Sequence, residues 1–446
     1  MNNRQISRRA PGMGAASTGT WLALFALLAG MAVATPAAAQ LNAENFAQLG
    51  FNFSPPGARS AAMGGAFIPL ADDATAAETN PAGLTQLLYP QLSFEYKALE
   101  YTRTLEEPVA DGTSSSEFAN QVALPSFASL AYPFSDGDAV IGFFGHQLVD
   151  YRSTVASAGV DFGSGLFLRP YTSDIDMSVQ NVGGALAFRL GSLMSLGVAG
   201  GASQLDMTVD FPRYDVPIFE PGYLANRLVV DGSGSGSFAN AGVLLKFGSV
   251  LQIGGVYKLR PSFSGMEYRL EDAEGELLPA SSAYNNQGEF TVKVPDSWGG
   301  GVAVRPYELF TLSASAVVNR YSQLADNTET VFLESIDPDE TLNSEDYVAN
   351  DAVDIHAGAE LILFLGTTPL AVRGGAAMIA ASNTFYVGPD PIERLLWGTE
   401  PNESTLQFSA GLGTVLFGRL QLEAAGVMGE QRSEVVASIV YFFEQL

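Results

Sequence analysis

The connections in this chain sort by parity, and few folds can produce that. Downstream of Pro90, apolar and polar residues alternate in run after run. Leu406-Phe408-Ala410-Leu412 stands against Gln407-Ser409-Gly411-Gly413, and Val353-Ile355-Ala357-Ala359-Leu361 against Asp354-His356-Gly358-Glu360. A period of two marks a strand with two unlike faces. Fourteen candidate strands result: 91–104, 120–133, 138–154, 173–190, 193–210, 226–247, 249–270, 286–305, 308–323, 350–365, 368–385, 403–417, 419–429 and 433–443. Most exceed the usual globular strand of about 5–6 residues and suit tilted strands crossing a bilayer, which need about 9–11. Connections after even-numbered strands are tight, as at Ser135-Asp136-Gly137, Gly191-Ser192, Gly248, Pro306-Tyr307, Gly366-Thr367 and Gly418. Those after odd-numbered strands are mostly long and polar (155–172, 271–285, 324–349, 386–402), the short one near Gln431-Arg432 excepted. Short periplasmic turns and long outer loops belong to outer-membrane barrels. A soluble sandwich has no reason to sort its loops. The sequence therefore predicts an all-β, transmembrane antiparallel β-barrel of about 14 strands.

Export agrees. Arg4, Arg8 and Arg9, an apolar run from Trp21 to Val33, and Ala37-Ala38-Ala39 form a cleavable signal over residues 1–39. Losing three arginines takes the formal charge from −26 to −29, and such acidity opposes nucleic acid as a partner. Cysteine is absent, so no disulfide holds the exported chain together. No later run of about 18 apolar residues offers a membrane helix.

Residues 40–90 precede the first strand. Within them Gly57 to Leu84 is too irregular for a strand and too apolar for a linker. Asp72 or Asp73 is placed to cap a helical turn through Ala74 to Glu78. Pro81 forces Asn80 out of helical geometry, and Gly64-Gly65 and Gly83 allow close backbone approach. A barrel of this size otherwise leaves a wide channel. The segment is expected to be a plug inside it, with 91–446 as the barrel; an arm folded on the rim is the alternative.

The runs Ser60-Ala61-Ala62-Met63-Gly64-Gly65-Ala66-Phe67, Ala71-Asp72-Asp73-Ala74 and Asn80-Pro81-Ala82-Gly83-Leu84 resemble the N-terminal hatch of the FadL-type outer-membrane long-chain fatty acid transporters. Val294-Pro295-Asp296-Ser297-Trp298-Gly299-Gly300-Gly301 resembles a mid-barrel strand of that family. The resemblance implies a fourteen-stranded barrel closed by its hatch. Apolar ligand would be caught by outer loops, held in an internal pocket, and released where one strand kinks inward. It makes Asp72, Asp73, Asn80, Pro81, Ala82 and Gly83 the hatch or gate residues. Gly142 and Gly145, near His146 on the third strand, are candidates for the kink.

Parity puts Lys258, Arg260 and Arg373 inside the barrel. Each is a candidate partner for a ligand carboxylate or a structural partner for Glu360, Glu423 or the hatch aspartates. The excess of 48 acids over 22 bases favours the second reading. His146 and His356 stand in no metal-ligand or triad spacing, so neither metal, cofactor nor catalysis is expected. The loop from Asp326 to Asp354 carries ten acids and no base: a solvated outer loop, or a divalent-cation bridge to lipopolysaccharide. Phe211, Tyr214, Phe219, Tyr223, Phe385, Tyr386 and Trp397 could line an outer apolar groove or belong to an interface girdle. The expected function is passive uptake of hydrophobic molecules, long-chain fatty acids first, by a hatch-gated monomer in the outer membrane. A barrel that anchors or shuttles partner proteins is the alternative, and a barrel hydrolase a distant third. An apolar lumen favours transport; a polar, sealed lumen favours the partner role.

Overall fold

The computed structural model describes residues 51, 53, 55–109, 112–134, 137–163, 166–168, 170–215, 224–279, 286–325, 346–389, 394 and 398–443, all in one compact unit, Ala38–Leu446. The expected signal segment lies outside them.

Fourteen strands form a closed antiparallel wall: β1 (Gln91–Val109), β2 (Gly112–Phe134), β3 (Ala139–Ser157), β4 (Tyr171–Leu190), β5 (Met194–Tyr214), β6 (Leu224–Phe247), β7 (Leu251–Leu259 continued by Ser262–Glu271), β8 (Gln287–Lys293 continued by Ser297–Tyr307), β9 (Phe310–Asn319), β10 (Ala352–Leu365), β11 (Thr368–Ile379), β12 (Thr405–Leu416), β13 (Leu420–Gly429) and β14 (Arg432–Phe442). Each pairs with its chain neighbours, and β1 meets β14 from Gln91↔Phe442 to Tyr101↔Arg432. Closure removes the free edges that an open sheet would expose to lipid. The short turns read from the sequence hold left-handed glycines, Gly137, Gly191, Gly248, Gly366 and Gly418, at φ between 65° and 84°, where a side chain would be strained.

The outer surface carries an apolar band. On β8 it runs from Trp298, 52% exposed, through Val302 to Tyr307. Nine steps of about 3.3 Å, tilted by about 40°, cover roughly 23 Å, close to the band of about 25 Å that such barrels present to lipid. Trp298 lies directly across from Tyr257 of β7, an aromatic belt at the outer interface. Tyr307, Phe364 and Phe417, exposed beside the short turns, mark the inner one. Above the outer belt, outward positions turn polar. On β4 the apolar Val182, Leu186 and Phe188 give way to Gln180 and Asp174.

Two departures from regular pairing lie above that belt. β3 leaves β2 after Phe127↔His146 while keeping β4 as a neighbour up to Ser157↔Tyr171. A bulge at Gln147–Val149 makes Leu148 and Val149 both buried and reverses the strand's faces. β3 then leans inward, so that the Tyr101 hydroxyl of β1 donates to Asp150 O at 3.1 Å. Gly142 and Gly145 remain paired on both sides. The departure begins just above them, at the inserted residue. The second departure involves β7 and β8, which both break at a proline, Pro261 and Pro295.

Candidate functional site

The hatch fills the barrel at membrane level. α1 (Ala58–Ala62), α2 (Ala76–Thr79) and a 3-10 helix (Pro81–Gln86) are joined by turns. Ala58, Ala61 and Ala62 pack on Ala425 and Val436, and Leu84 and Leu87 on Phe127, Phe144 and Ala187. Met63, Phe67, Leu70 and Leu84 are fully buried, each contributing about 1.5–3 kcal/mol. Alanine-rich helices this short have no stability of their own; the wall supplies it.

The wall makes room by omitting side chains. A Cβ on Gly197 would lie 2.3 Å from Ala82 N, and one on Gly242 would lie 2.1 Å from Asn80 Oδ1. Inward-facing glycines thus form the seat of Asn80-Pro81-Ala82. Asn80 Nδ2 donates to Ile68 O at 2.9 Å and to Val243 O of β6 at 3.3 Å, while its Oδ1 accepts from Ala82 N. Asn80 is extended, and Pro81 starts the 3-10 helix after it.

The two aspartates part company. Asp72 pairs with Arg59 at 2.5 Å and Arg305 at 3.1 Å. Asp73 accepts from Thr75 N and Thr75 Oγ1, closing a tight turn ahead of α2. The regular helix begins at Ala76, and Asp73 holds the turn ahead of it through Thr75 N, the bond expected of a cap on a turn that starts at Ala74. Burial pushes the Asp73 carboxyl up to about 6, against the pull of Thr75 and Arg59.

Two ion clusters fix the hatch. Glu78 receives Lys258 Nζ on both oxygens, at 2.8 and 2.9 Å, and Arg260 Nη1 at 3.4 Å. Burial would raise the Glu78 carboxyl, but Lys258, His146 and Arg260 overcome it and hold it near 2. Arg59 and Arg373 both bind Glu360, at 2.9 and 2.6 Å, and Arg373 also reaches Glu423 at 2.9 Å. All three sequence-predicted cations therefore face inward and carry carboxylate partners. Glu78 is the functional residue the sequence reading missed. A lone glutamate in an apolar plug, where an unpaired charge is costly, was its signal.

Above the hatch the lumen is apolar. The upper inner faces of β3 to β8 converge in one cluster that includes Tyr151, Met177, Leu205, Phe263, Met266 and Phe290. Tyr321 and Ala349 join it, as does Phe211, whose ring lies 5.1 Å from Tyr171. Phe51 enters from the chain's N-terminal side, stacked on Phe53 at 6.0 Å, and its carbonyl accepts from the Tyr321 hydroxyl at 2.9 Å. Phe53 also covers the Arg260 guanidinium at 5.0 Å. Arg260 Nε has no hydrogen-bond partner among the described residues. Arg260 is thus the buried cation at the floor of this apolar cluster, whereas Arg373 lies in the other ion cluster.

The expected outer groove is met only in part. Tyr386 is fully buried against Tyr347, rings 5.0 Å apart, beside Phe385 in a two-stranded sheet (Tyr347–Ala349 with Thr384–Tyr386). Phe219, Tyr223, Trp397 and most of the acidic loop lie outside the described residues. His146 packs edge-on to Phe127, and His356 Nδ1 contacts Gly64 O at 2.8 Å. Ser315, opposite His356, has no hydrogen-bond partner for its hydroxyl among the described residues.

The chain resembles several solved barrels. A FadL homologue of Pseudomonas aeruginosa superposes with a TM-score of 0.60 at 16% identity, over 88% of this chain and 100% of that one. The toluene transporter TbuX of Ralstonia pickettii gives 0.57 at 14%, over 89% and 100%. The monoaromatic hydrocarbon channel CymD gives 0.56 at 14%, over 89% and 100%. At such identities these likenesses establish the fold alone. No curated protein matches the chain in sequence. The family model of the outer membrane protein transport proteins (OMPP1/FadL/TodX) matches residues 28–377. The chain therefore belongs to that family of outer-membrane channels for hydrophobic compounds, which are transport proteins and not enzymes.

Proposed function

We propose that the barrel passively admits amphipathic molecules with a long apolar tail and a carboxylate head, of the long-chain fatty acid class, and that the hatch gates their passage. The observation that carries this reading is the join between the apolar chamber and the Arg260 guanidinium, covered by Phe53. A tail fits among Tyr151, Met177 and Phe290 once Phe51 and Phe53 are displaced. A carboxylate then finds a charge-assisted donor at Arg260. Lys258 and Arg373 have a secondary part, since their strong carboxylate partners compete. Release follows the parting of β3 from β2, with Asn80-Pro81-Ala82 as the moving contact of the hatch. An apolar lumen above the hatch speaks for transport rather than for a partner-anchoring barrel, which calls for a polar, sealed lumen.

The same reading takes residues 1–39 as a removed signal, 40–90 as hatch and 91–446 as barrel. It takes the protein as a monomer, with lipopolysaccharide as the neighbour of its acidic outer loop.

A second ligand class, small monoaromatic hydrocarbons, is favoured by the aromatic lining and by the names of the channels that share the fold. Equilibrium binding of labelled oleate, with toluene as competitor, separates the two. Oleate should bind, and Arg260→Met should weaken it about tenfold or more, the worth of one hydrogen bond to a charged group. Toluene binding without oleate binding would replace the fatty acid by the hydrocarbon. Neither binding would remove the channel reading.

A further inference from the structure

Above the Tyr257–Trp298 belt, β7 and β8 do not continue the wall. Their upper halves, Ser262–Glu271 and Gln287–Lys293, pair with each other but hardly with their neighbours. Against β6, pairing stops at Ala239↔Leu259 and returns only at Val230↔Tyr268. Asp231 to Phe238 and Arg260 to Glu267 lie unpaired across that interval, and the ladder resumes in the same register. On the other side, β9 ends at Asn319, opposite Ser297, so among the described residues Gln287–Lys293 has no strand beside it there.

The two upper halves form a hairpin with two unlike faces. Phe263, Met266, Phe290 and Val292 point inward at 0 to 1% exposure, while Ser262, Ser264, Glu267 and Arg269 face out. It meets β6 at bare backbone: a Cβ on Gly234 would lie 3.0 Å from Phe263 Cβ, and one on Gly232 would lie 3.1 Å from Met266 Cε. An unpaired seam is impossible in hydrocarbon but tolerable where water reaches its rim, and this rim carries Ser233, Ser235, Ser262 and Ser264, all exposed.

Both strands of the hairpin break at one level, around Pro261 and Pro295, where Val294 N donates to Pro261 O at 3.0 Å. Asp296 Oδ1 accepts from Arg260 N at 2.9 Å and Lys293 Nζ at 2.7 Å, which clamps the two breaks together. The same Arg260 extends its guanidinium to Glu78 of the hatch.

We propose that this hairpin is a door onto the apolar chamber, hinged at Pro261 and Pro295 and latched from below by the hatch through Glu78 and Arg260. Its opening along Asp231–Phe238 lets an amphipathic molecule in, tail first past Phe263 and Met266, with its head along the serine rim. Because Glu78 of the hatch holds Arg260 at the foot of the hinge, and Arg260 N is tied to Asp296 at the other break, release of the hatch loosens the hinge and opening of the door loosens the hatch, as linkage requires. The ligand class rests on the channel reading above; the door and its latch do not.

The chain has no cysteine, so two introduced thiols are unique. Spin labels on Ser235→Cys and Ser264→Cys, in the full chain in nanodiscs, report the seam width by dipolar broadening of the continuous-wave electron paramagnetic resonance spectrum. The native latch should give one narrow distance, and Glu78→Gln should add a second, longer population. Arg260→Gln breaks the latch from the other side, should Glu78→Gln fail to fold, with the same expectation. An unchanged single distance in a folded latch variant overturns the proposal. A reducible bifunctional thiol reagent bridging the same pair should cut labelled-oleate uptake at least tenfold, with recovery on reduction. A bridge between Ala241→Cys and Tyr257→Cys, in the continuous ladder, should not. Uptake unaffected by the seam bridge overturns the door as the way in. Absence of uptake by the unbridged protein removes the channel reading, while the distances, which need no ligand, still decide the door.

Discussion

Glu78 of the hatch and Lys258 of β7, separated by 180 residues, meet through both carboxylate oxygens at 2.8 and 2.9 Å. Both are buried. Removing one partner from such a pair costs about 3–5 kcal/mol, because a charge is left without compensation. Lys258→Met should therefore speed hydrogen exchange of amides 57–87 by about two orders of magnitude or more, leaving β4 and β5 protected. The double variant Glu78→Gln, Lys258→Met should lose less than the two singles together. Additive losses would mean that the pair does not act as a unit.

Asp73 makes hatch docking depend on pH. Its carboxyl stands near 6 when docked and near 3.9 when free, so docking prefers the neutral form. Its stabilisation is complete below the free value and is lost as pH rises through about 6. The full swing is on the order of 3 kcal/mol. Glu78 works in the opposite sense: held near 2, it stabilises above about 4.3 and loses that only as pH falls towards 2. Between pH 4 and 7 Asp73 governs. Protection of amides 57–87, corrected for intrinsic exchange, should fall across that window, and Asp73→Asn should flatten the curve.

The glycine seat can be tested by filling it. Gly242→Val puts carbon where Asn80 Oδ1 now sits, and neither the wall backbone nor the Asn80 bonds to Ile68 and Val243 can yield cheaply. The hatch should be displaced while the barrel still forms. In planar bilayers the variant should conduct ions in steps that the native protein lacks. A silent, heat-modifiable variant would show that the seat adapts.

The lipid band predicts a depth dependence. Val302→Arg, near mid-band on β8, should cost about 2–4 kcal/mol in reversible folding into liposomes, and Tyr307→Arg at its edge only about 0–1. Equal costs would mean that the band is misplaced along β8.

All fourteen strands were legible because each keeps a two-residue period against two different solvents, lipid outside and hatch or chamber inside. The breaks at Pro261 and Pro295 were not. β7 reads as one run from 249 to 270, since the residues on either side of Pro261 still alternate, and leaning inward is decided by neighbours that do not pair. The β3 bulge escaped for a like reason: Leu148-Val149 looks like ordinary apolar sequence until β4 fixes which side each faces. Lys258, Arg260 and Arg373 could be set inside the barrel by parity, yet their partners depend on where the hatch comes to rest. Glu78 belongs to a single helical turn, too short to carry a pattern.

The glycine seat also bears on assembly. α1 rests on β12, β13 and β14, the last strands made, whereas Asn80-Pro81-Ala82 rests on β5 and β6. The first part of the folded chain thus touches both flanks of the wall, and Glu95 of β1 accepts from Gly57 N beside the Ser438 hydroxyl of β14. A finished cylinder would have to admit a unit that already fits its wall glycines without room for a Cβ. The hatch is better understood as the mandrel on which the last strands are wound before β14 finds β1.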